Sequence, residues 1–241
     1  MTAPRPAGRT LYRLYQLAWT GLDWLYPPRC GGCSQLHQRW CPECQAQARR
    51  LPDRVCRRCG EPLARGALCA ACADRPPAYQ ALRSWGFFEG PLRGALHRLK
   101  YQRDIALGEA LARHLVQLLG ELGWPVDLVT AVPAGVARLR ERGYNQATFL
   151  AIPPALAFGV PYRSKALVKL RDTPTQVGLN AAQRRANIAG AFAAQPALVD
   201  GRQVLVIDDV TTTGATIQAC AEALLSSGAR QVYGLTLARA V

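Results

Sequence analysis

The stretch Val204-Leu205-Val206-Ile207-Asp208-Asp209-Val210-Thr211-Thr212-Thr213-Gly214-Ala215-Thr216 decides the fold of this 241-residue chain. Its four leading apolar residues are typical of a strand that is covered on both faces, as in the middle of a parallel sheet. Two carboxylates follow at the expected carboxyl end of this strand, where open α/β sheets bind ligands. A threonine-rich glycine turn then leads into a helix that we expect over 217–225, and a helix N-terminus favours an anion. The stretch therefore predicts a phosphate pocket beside two hydrogen-bond acceptors.

Adjacent carboxylates before such a turn suit a sugar phosphate, because vicinal hydroxyls need two acceptors. The alternative is a buried strand and turn with two N-capping aspartates, but capping explains neither the second carboxylate nor the four threonines. The whole stretch resembles the signature of the type I phosphoribosyltransferases, which bind 5-phosphoribosyl-1-pyrophosphate (PRPP) together with Mg²⁺. The resemblance implies that the PRPP-binding residues are Asp208, Asp209, Thr211, Thr212, Thr213, Gly214, Ala215 and Thr216.

Eight of the nine cysteines lie in four CxxC pairs, and a CxxC pair directs two thiolates toward one tetrahedral ion. Two structural Zn²⁺ ions, held by two zinc ribbons in tandem, account for all eight. Sequential and interleaved pairing of the CxxC units both satisfy the ligand count, and we expect sequential pairing. His37 is an alternative ligand for the first site, although four thiolates already complete the shell. The predicted metal ligands are Cys30, Cys33, Cys41, Cys44, Cys56, Cys59, Cys69 and Cys72.

A disulfide framework is the competing interpretation of these cysteines. No cleavable signal precedes them, because the apolar segment 11–25 contains Asp23 and no small-residue cleavage site follows it, so we expect a cytoplasmic protein with metal-bound thiolates. The segment is too short and too polar to span a bilayer. It is predicted to form an amphipathic helix that packs against protein, with attachment to a membrane surface as the alternative. The packing stripe comprises Leu11, Leu14, Tyr15, Ala18, Leu22 and Leu25.

A formal net charge of +14 raises the question of nucleic-acid binding. The positive excess shrinks but persists when eight thiolates and two Zn²⁺ ions are counted. Trp40 precedes Cys41, and five arginines cluster around Cys56. This mixture suits the phosphates and stacked bases of single-stranded DNA, while a solvated basic face is the alternative. The five arginines are Arg49, Arg50, Arg54, Arg57 and Arg58.

The pyrophosphate of PRPP carries several negative charges that a binding protein must neutralise. A predicted strand at 127–132 leads into a basic loop, and the long polar loop after a predicted strand at 165–169 has the character of a lid. We expect arginines from both loops at the pyrophosphate. The resemblance also places Lys100 there, and a lysine that holds a carboxylate is the alternative. The predicted catalytic residues are Arg142, Arg171, Arg184 and Lys100.

We divide the chain into an N-terminal amphipathic helix (1–28), a double zinc ribbon (29–75) and a phosphoribosyltransferase-like domain (76–241), with the joint at Arg75-Pro76-Pro77. The fold class is α/β, a Rossmann-like parallel sheet flanked by helices. Further strands are expected at 81–87 and 231–237, and helices at 91–99, 106–119 and from Asn145. Pro153-Pro154 is expected to break the last helix early.

The combination of motifs resembles the ComF (GntX) family of competence proteins from about Cys30 to the end of the chain. The shared features are the CxxC knuckles, Leu99-Lys100-Tyr101, the RGYNQ at 142–146, the spacing from Arg171 to Asn187 and the terminal motif. The resemblance implies a cytoplasmic protein of natural competence, DNA uptake and DNA utilisation. Its implied partners are PRPP, single-stranded DNA and DNA-uptake proteins such as a ComFA-type helicase. A homodimer in which Lys100 reaches across is one arrangement that it allows.

Three classes of function follow. The first is a PRPP-binding, phosphoribosyltransferase-like protein of DNA uptake that contacts single-stranded DNA. The second is a soluble nucleobase-salvage or amine-accepting phosphoribosyltransferase. The third is a zinc-ribbon adaptor with a non-catalytic PRPP-sensing domain. The sequence leaves the acceptor and enzymatic turnover open.

Overall fold

The computed structural model describes residues 6–172 and 187–240, within which four strands form one parallel sheet and two form an antiparallel pair. The strands are β1 (Ala81–Phe87), β2 (Leu128–Ala131), β3 (Leu167–Lys169), β4 (Phe192–Ala194), β5 (Gln203–Thr211) and β6 (Gln231–Arg239). The helices are α1 (Pro6–Leu25), α2 (Pro42–Gln47), α3 (Ala70–Asp74), α4 (Gly90–Tyr101), α5 (Ile105–Leu122), α6 (Val136–Arg142), α7 (Gln146–Phe158), α8 (Pro196–Val199) and α9 (Ala215–Ser226). A 3₁₀ turn, Ser164–Ala166, precedes β3.

The parallel sheet has the order β1-β6-β5-β2, with β5 and β6 in its middle. Side chains of β5 alternate between the two faces, as strand geometry requires. Val204 and Val206 belong to the core beneath α9 and the β3–β4 pair, whereas Leu205 and Ile207 belong to the core beneath α4, α5 and α7. The expected α/β class, a parallel sheet covered by helices on both faces, is confirmed.

The motif strand extends further than its apolar run predicts. β5 continues through the acidic pair to Thr211, because β6 runs alongside it and pairs Thr211 with Arg239. β2, on the other side, pairs only as far as Ala131 with Ile207. The residues of β5 from Asp208 onward therefore have a neighbour on one side and an open edge on the other.

Helix α7 does not break at Pro153-Pro154, so that expectation was wrong. Both prolines are buried inside a helix that continues to Phe158. The helix packs against α1, α5, β2 and β5. Gly8 of α1 lies so close to the C-terminus of α7 that a Cβ on Gly8 would be 2.5 Å from the Gly159 nitrogen. Tertiary packing thus outweighs the backbone hydrogen bonds that the prolines cannot make.

Helix α1 forms as expected but turns a different face toward the protein. Leu11, Leu14, Leu22 and Leu25 of the predicted stripe are exposed, and Trp24 is 89% exposed. The half-buried face carries Tyr12, Trp19 and Asp23 together with Tyr15, the one half-buried member of the predicted stripe. The cause is Arg39, whose guanidinium lies 2.5 Å from an Asp23 carboxylate oxygen and 4.7 Å from the centre of the Trp19 ring.

None of the helices in the described part of the chain is both long enough and apolar enough to cross a bilayer.

Candidate functional site

A cleft opens at the carboxyl end of β5, on the edge that β2 leaves free. The Val132 amide still donates to the Ile207 carbonyl at 2.9 Å, and beyond that point the chain turns away from β5 into α6. The cleft has a volume of about 490 Å³. Residues on its wall include Lys100, Tyr101, Arg138, Arg142, Gln146, Lys169, Asp208, Asp209, Thr212 and Thr216.

The threonine-glycine turn joins β5 to α9 at this cleft. Gly214 has a φ of +79° and caps the helix that begins at Ala215, so the turn uses a left-handed conformation that glycine adopts readily. Thr212 and Thr216 line the cleft, while Thr211 is buried. Thr213, Gly214 and Ala215 line a second cavity of about 640 Å³, behind the turn, and Thr212 borders both spaces.

The two aspartates have different surroundings because they are neighbours on a strand and point to opposite faces. Asp209 continues the face of Leu205 and Ile207, and its carboxylate lies 2.5 Å from the Lys100 ammonium. Asp208 continues the opposite face and accepts a 2.9 Å hydrogen bond from the Asp209 amide.

These surroundings shift the two pKa values in opposite directions. Burial and the neighbouring Asp209 carboxylate raise the pKa of Asp208 well above its usual value. Burial would also raise the pKa of Asp209, but the Lys100 ammonium, together with hydrogen bonds that involve Lys100, Asp208 and the Val210 backbone, outweighs it and holds that pKa below its usual value. The pair therefore holds a proton more tightly on Asp208 than on Asp209.

Positive side chains face the acidic pair across the cleft. Arg142 is buried, donates a 2.9 Å hydrogen bond to Gln146 and stacks its guanidinium 4.9 Å from the centre of the Tyr101 ring. Arg138 comes from α6, a helix within the segment that we expected to be a loop. Burial and the Arg138 charge lower the pKa of Lys169.

The structure brings some predicted pyrophosphate residues together and not others. Lys100 and Arg142 both line the cleft. Arg171 does not; its side chain donates to the carbonyls of Asn187 and Ala189 at 3.0 and 2.9 Å. Arg184 and most of the predicted lid lie outside the described residues. Lys169 was missed, although its position two residues after buried Leu167 on β3 indicates that it faces inward.

The eight CxxC cysteines form two four-sulfur groups. Cys30, Cys33, Cys41 and Cys44 make one group and Cys56, Cys59, Cys69 and Cys72 the other, with the sulfur atoms of each group within 4.8 Å of one another. The expected sequential pairing is confirmed, and His37 belongs to neither group.

Each sulfur group is prepared for a metal by backbone donors. The Cys41 amide donates to the Cys30 sulfur, and the Cys69 amide donates to the Cys56 sulfur, both at 3.4 Å. Although burial alone would raise them, backbone N–H donors lower the pKa values of Cys30 and Cys56 to about 6. One thiolate in each group is stabilised in this way, and four convergent cysteine sulfurs fit a structural Zn²⁺ ion at each site.

The arginines around the second sulfur group are partly engaged within the chain. Arg49 forms a 2.9 Å ion pair with Glu89, and Arg58 donates to the Pro77 carbonyl at 2.7 Å. Arg50 lies 3.5 Å from Glu121. Arg54 and Arg57 are exposed on the surface of the ribbon.

Comparison with known proteins adds sequence relatives to this geometry. Residues 21–73 match the model of the double zinc ribbon domain. DNA utilization protein YhgH of Salmonella typhi is 35% identical, over 81% of this chain and 89% of that protein. Competence protein F of Haemophilus influenzae is 30% identical, over 83% of this chain and 90% of that protein. Among solved structures, adenine phosphoribosyltransferase of Thermoanaerobacter pseudethanolicus is 17% identical, with a TM-score of 0.38, over 58% of this chain and 84% of that one.

Proposed function

The chain belongs to the ComF family, which contains DNA utilization protein YhgH and competence protein F, and from that premise we propose that its cleft binds PRPP with Mg²⁺ in the handling of DNA that the cell takes up. The observation that carries the proposal is the meeting of acidic and cationic side chains in one cleft at the carboxyl end of β5. Asp208 and Asp209 stand on one side of it, with Lys100 and Arg142 also on its wall.

Each part of PRPP finds matching chemistry in this arrangement. The carboxylates are acceptors for the two ribose hydroxyls. The N-terminus of α9 and the hydroxyl groups of Thr212 and Thr216 suit the 5′ phosphate. Lys100 and Arg142 suit the pyrophosphate, and Mg²⁺ bound with PRPP would supply further neutralising charge at the leaving group.

This site can support displacement at C1 without a protein nucleophile. An incoming acceptor atom would form a bond to C1 while the bond from C1 to the pyrophosphate oxygen breaks, and the pyrophosphate would carry away the electron pair. The chain's contribution would be positioning and charge neutralisation. Binding alone would be sufficient for a sensing role, so turnover is a separate measurement.

Calorimetry of the zinc-loaded protein with PRPP and Mg²⁺ tests the proposal. We expect saturable binding that Asp208→Asn combined with Asp209→Asn abolishes. Asp53→Asn, at an exposed carboxylate on the zinc ribbon, is the matched control and should bind as the wild type does. No binding by the folded wild-type protein would contradict the proposal. Pyrophosphate release with a panel of free nucleobases, amines and oligonucleotides then separates a salvage or amine-accepting transferase from a sensing protein.

Contact with single-stranded DNA is the second part of the proposal, and the exposed arginines of the second ribbon support it. Arg57 and Arg65 are exposed and contribute positive charge near the second sulfur group. Replacing both with glutamine should weaken oligonucleotide binding and flatten its dependence on salt concentration, because fewer counterions are released. Arg202→Gln combined with Arg230→Gln, at two exposed arginines elsewhere, is the control for net charge. Equal salt slopes for the double variant and the control would contradict this assignment.

A further inference from the structure

Arg239, at the end of β6, connects the threonine-glycine turn to the second sulfur group. Its backbone is fixed on both sides, because it pairs with Thr211 of β5 and with Phe87 of β1. Its side chain is only 3% exposed. One guanidinium nitrogen donates to the Thr212 carbonyl at 3.0 Å, and another donates to the carbonyl of Cys59, a predicted zinc ligand.

The Cys59 carbonyl is itself held in place by the sheet. The next residue, Gly60, has a φ of +72°, and a Cβ at this position would lie 2.4 Å from the Leu82 carbonyl oxygen of β1. The Leu82 amide donates to the Arg58 carbonyl at 2.7 Å. The zinc knuckle therefore lies directly against the sheet, and Cys59 contributes its sulfur to the second group as well as its carbonyl to Arg239.

The turn has little packing behind it, which makes this connection important. The cavity of about 640 Å³ lies between the turn and the second sulfur group, with Gly214 and Cys59 both on its wall. Tyr79 and Leu82 contact the turn, since a Cβ at Gly214 would lie 2.9 Å from the Tyr79 hydroxyl and 3.3 Å from a Leu82 methyl group. Arg239 adds a hydrogen-bonded link from the Cys59 carbonyl to the Thr212 carbonyl.

Within residues 6–172 and 187–240, the charge of Arg239 also has no carboxylate partner. Among the described side chains, none of the ion pairs within 4.0 Å involves Arg239, and its Nε has no hydrogen-bond acceptor. A buried cation without compensation is costly. Four thiolates on one Zn²⁺ make a dianionic centre on one side of Arg239, and a phosphate at the turn would place a second anion on the other.

We propose that Arg239 is a positioning residue through which the second zinc site holds the threonine-glycine turn in its phosphate-binding conformation. The inference rests on the proposed function, since it concerns the same phosphate site. Arg239 acts through the Thr212 carbonyl and not by touching the ligand. Loss of the second metal ion and loss of the guanidinium should therefore have the same consequence at residues 211–216.

Hydrogen exchange of the full zinc-loaded chain tests the link without any ligand. In Arg239→Met, we expect amides of residues 211–216 to exchange at least about tenfold faster, because the turn opens more often. Arg239→Lys keeps the charge but offers one nitrogen in place of the two that reach the Thr212 and Cys59 carbonyls, so it should show most of this increase. Arg202→Gln is the matched control, and zinc content should stay at two ions per chain in all three variants.

The metal ligands provide the second arm of the test. Cys72→Ala removes a ligand of the second site and should raise exchange at residues 211–216 more than Cys44→Ala, which removes a ligand of the first site. Unchanged exchange of the turn in Arg239→Met and in folded Cys72→Ala would overturn the inference. Equal increases in the two cysteine variants would also overturn it.

Affinity for ribose 5-phosphate tests whether the Arg239 hydrogen bond to the turn affects phosphate binding. We expect Arg239→Met to bind ribose 5-phosphate at least about tenfold more weakly than the wild type. If the wild type binds neither PRPP nor ribose 5-phosphate, the proposed function fails while the exchange measurement still decides the link. If the wild type binds and Arg239→Met binds equally well, only the link fails.

Discussion

The ammonium of Lys100 and the carboxylate of Asp209 meet at 2.5 Å within one chain, across the cleft between the end of α4 and β5. The contact explains why the pKa of Asp209 is lowered while that of Asp208 is raised, and it means that Lys100 reaches the motif without a second subunit. A ligand that uses both groups must exchange this ion pair for its own contacts. Measurable consequences follow from this ion pair, from the conformation of Gly214, from the contacts of Arg39 and from the two sulfur groups.

Asp209→Asn and Asp208→Asn should change stability in opposite directions at pH 7. Removing the Asp209 charge leaves Lys100 without its partner and should lower the free energy of unfolding by about 1 to 3 kcal/mol. Asp208→Asn removes a carboxyl group whose ionisation is opposed by burial and by Asp209, and it should raise the free energy of unfolding by about 1 kcal/mol. Urea denaturation of both variants and of Asp53→Asn measures the changes. Equal destabilisation by both substitutions would show that the two carboxylates do not have different surroundings.

The same pair predicts a dependence of stability on pH. The folded-state pKa of Asp208 is raised, so its contribution is fully present below the unfolded value of about 4 and is lost as pH rises through the folded value. The folded-state pKa of Asp209 is lowered, so its contribution is present above about 4 and is lost as pH falls through the folded value. The advantage of Asp208→Asn over the wild type should therefore grow from pH 4 upward. An advantage that is constant with pH would contradict the raised pKa.

Gly214→Ala should destabilise the turn through backbone strain and through a steric clash, and Gly66→Ala measures the backbone strain alone. Both Gly214 and Gly66 have a positive φ, +79° and +82°, but a Cβ at Gly66 meets nothing within 4 Å while one at Gly214 lies 2.9 Å from the Tyr79 hydroxyl. Gly66→Ala should cost about 1 kcal/mol from backbone strain alone, and Gly214→Ala should cost more. Thermal unfolding measures both. Adding Tyr79→Phe to Gly214→Ala should recover the difference, and failure to recover it would place the cost in the backbone.

Arg39→Met should release helix α1. Arg39 is buried and lies 3.7 Å from Glu109, which is 1% exposed, as well as contacting Asp23 and Trp19. Its loss should lower the free energy of unfolding by about 2 to 4 kcal/mol and should speed proteolytic cleavage within α1. Arg13→Gln, at an exposed position on the same helix, is the control. Cleavage at the wild-type rate would show that α1 is held by its other contacts.

The two zinc sites should differ in their importance for folding. Cysteines of the second group belong to a core that includes Val204 and Ile217, whereas those of the first group form a small cluster with Trp40. Cys72→Ser should therefore lower the melting temperature more than Cys44→Ser. Differential scanning calorimetry, with zinc content measured in parallel, compares the two. A larger effect of Cys44→Ser would assign the main structural role to the first site.

Sequence patterns predicted the parts of the molecule whose structure depends on neighbouring residues in the chain. The apolar run of β5, the strand at Ala81–Phe87 and the use of the eight CxxC cysteines in metal sites follow from periodicity or spacing, whereas the structure was needed to choose between sequential and interleaved pairing. The features that were missed depend on distant partners. α1 turns its leucines outward because of Arg39, α7 passes through its prolines because other elements pack around it, and β5 continues because β6 accompanies it.

The candidate site was predictable in the same uneven way. The acidic pair and the turn are contiguous, so their placement together was clear from the sequence. Lys169 and Arg239 come from other strands and carry no motif, so only the assembled sheet shows that they lie near the turn. Lys100 was named from a family resemblance, and its contact with Asp209 could not be derived from spacing.

The alternation of side chains along β5 assigns different tasks to two chemically identical residues. The burial of Val204 and Val206 on one face of the sheet determines which face each later residue of β5 points to. This alternation directs Asp209 toward Lys100 and Asp208 away from it. Inserting a single residue before Asp208 would keep every functional group yet exchange their surroundings. The function of the motif therefore depends on the position of each residue along the strand as well as on its composition. A one-residue insertion should exchange the surroundings of the two aspartates, whereas a two-residue insertion should restore them.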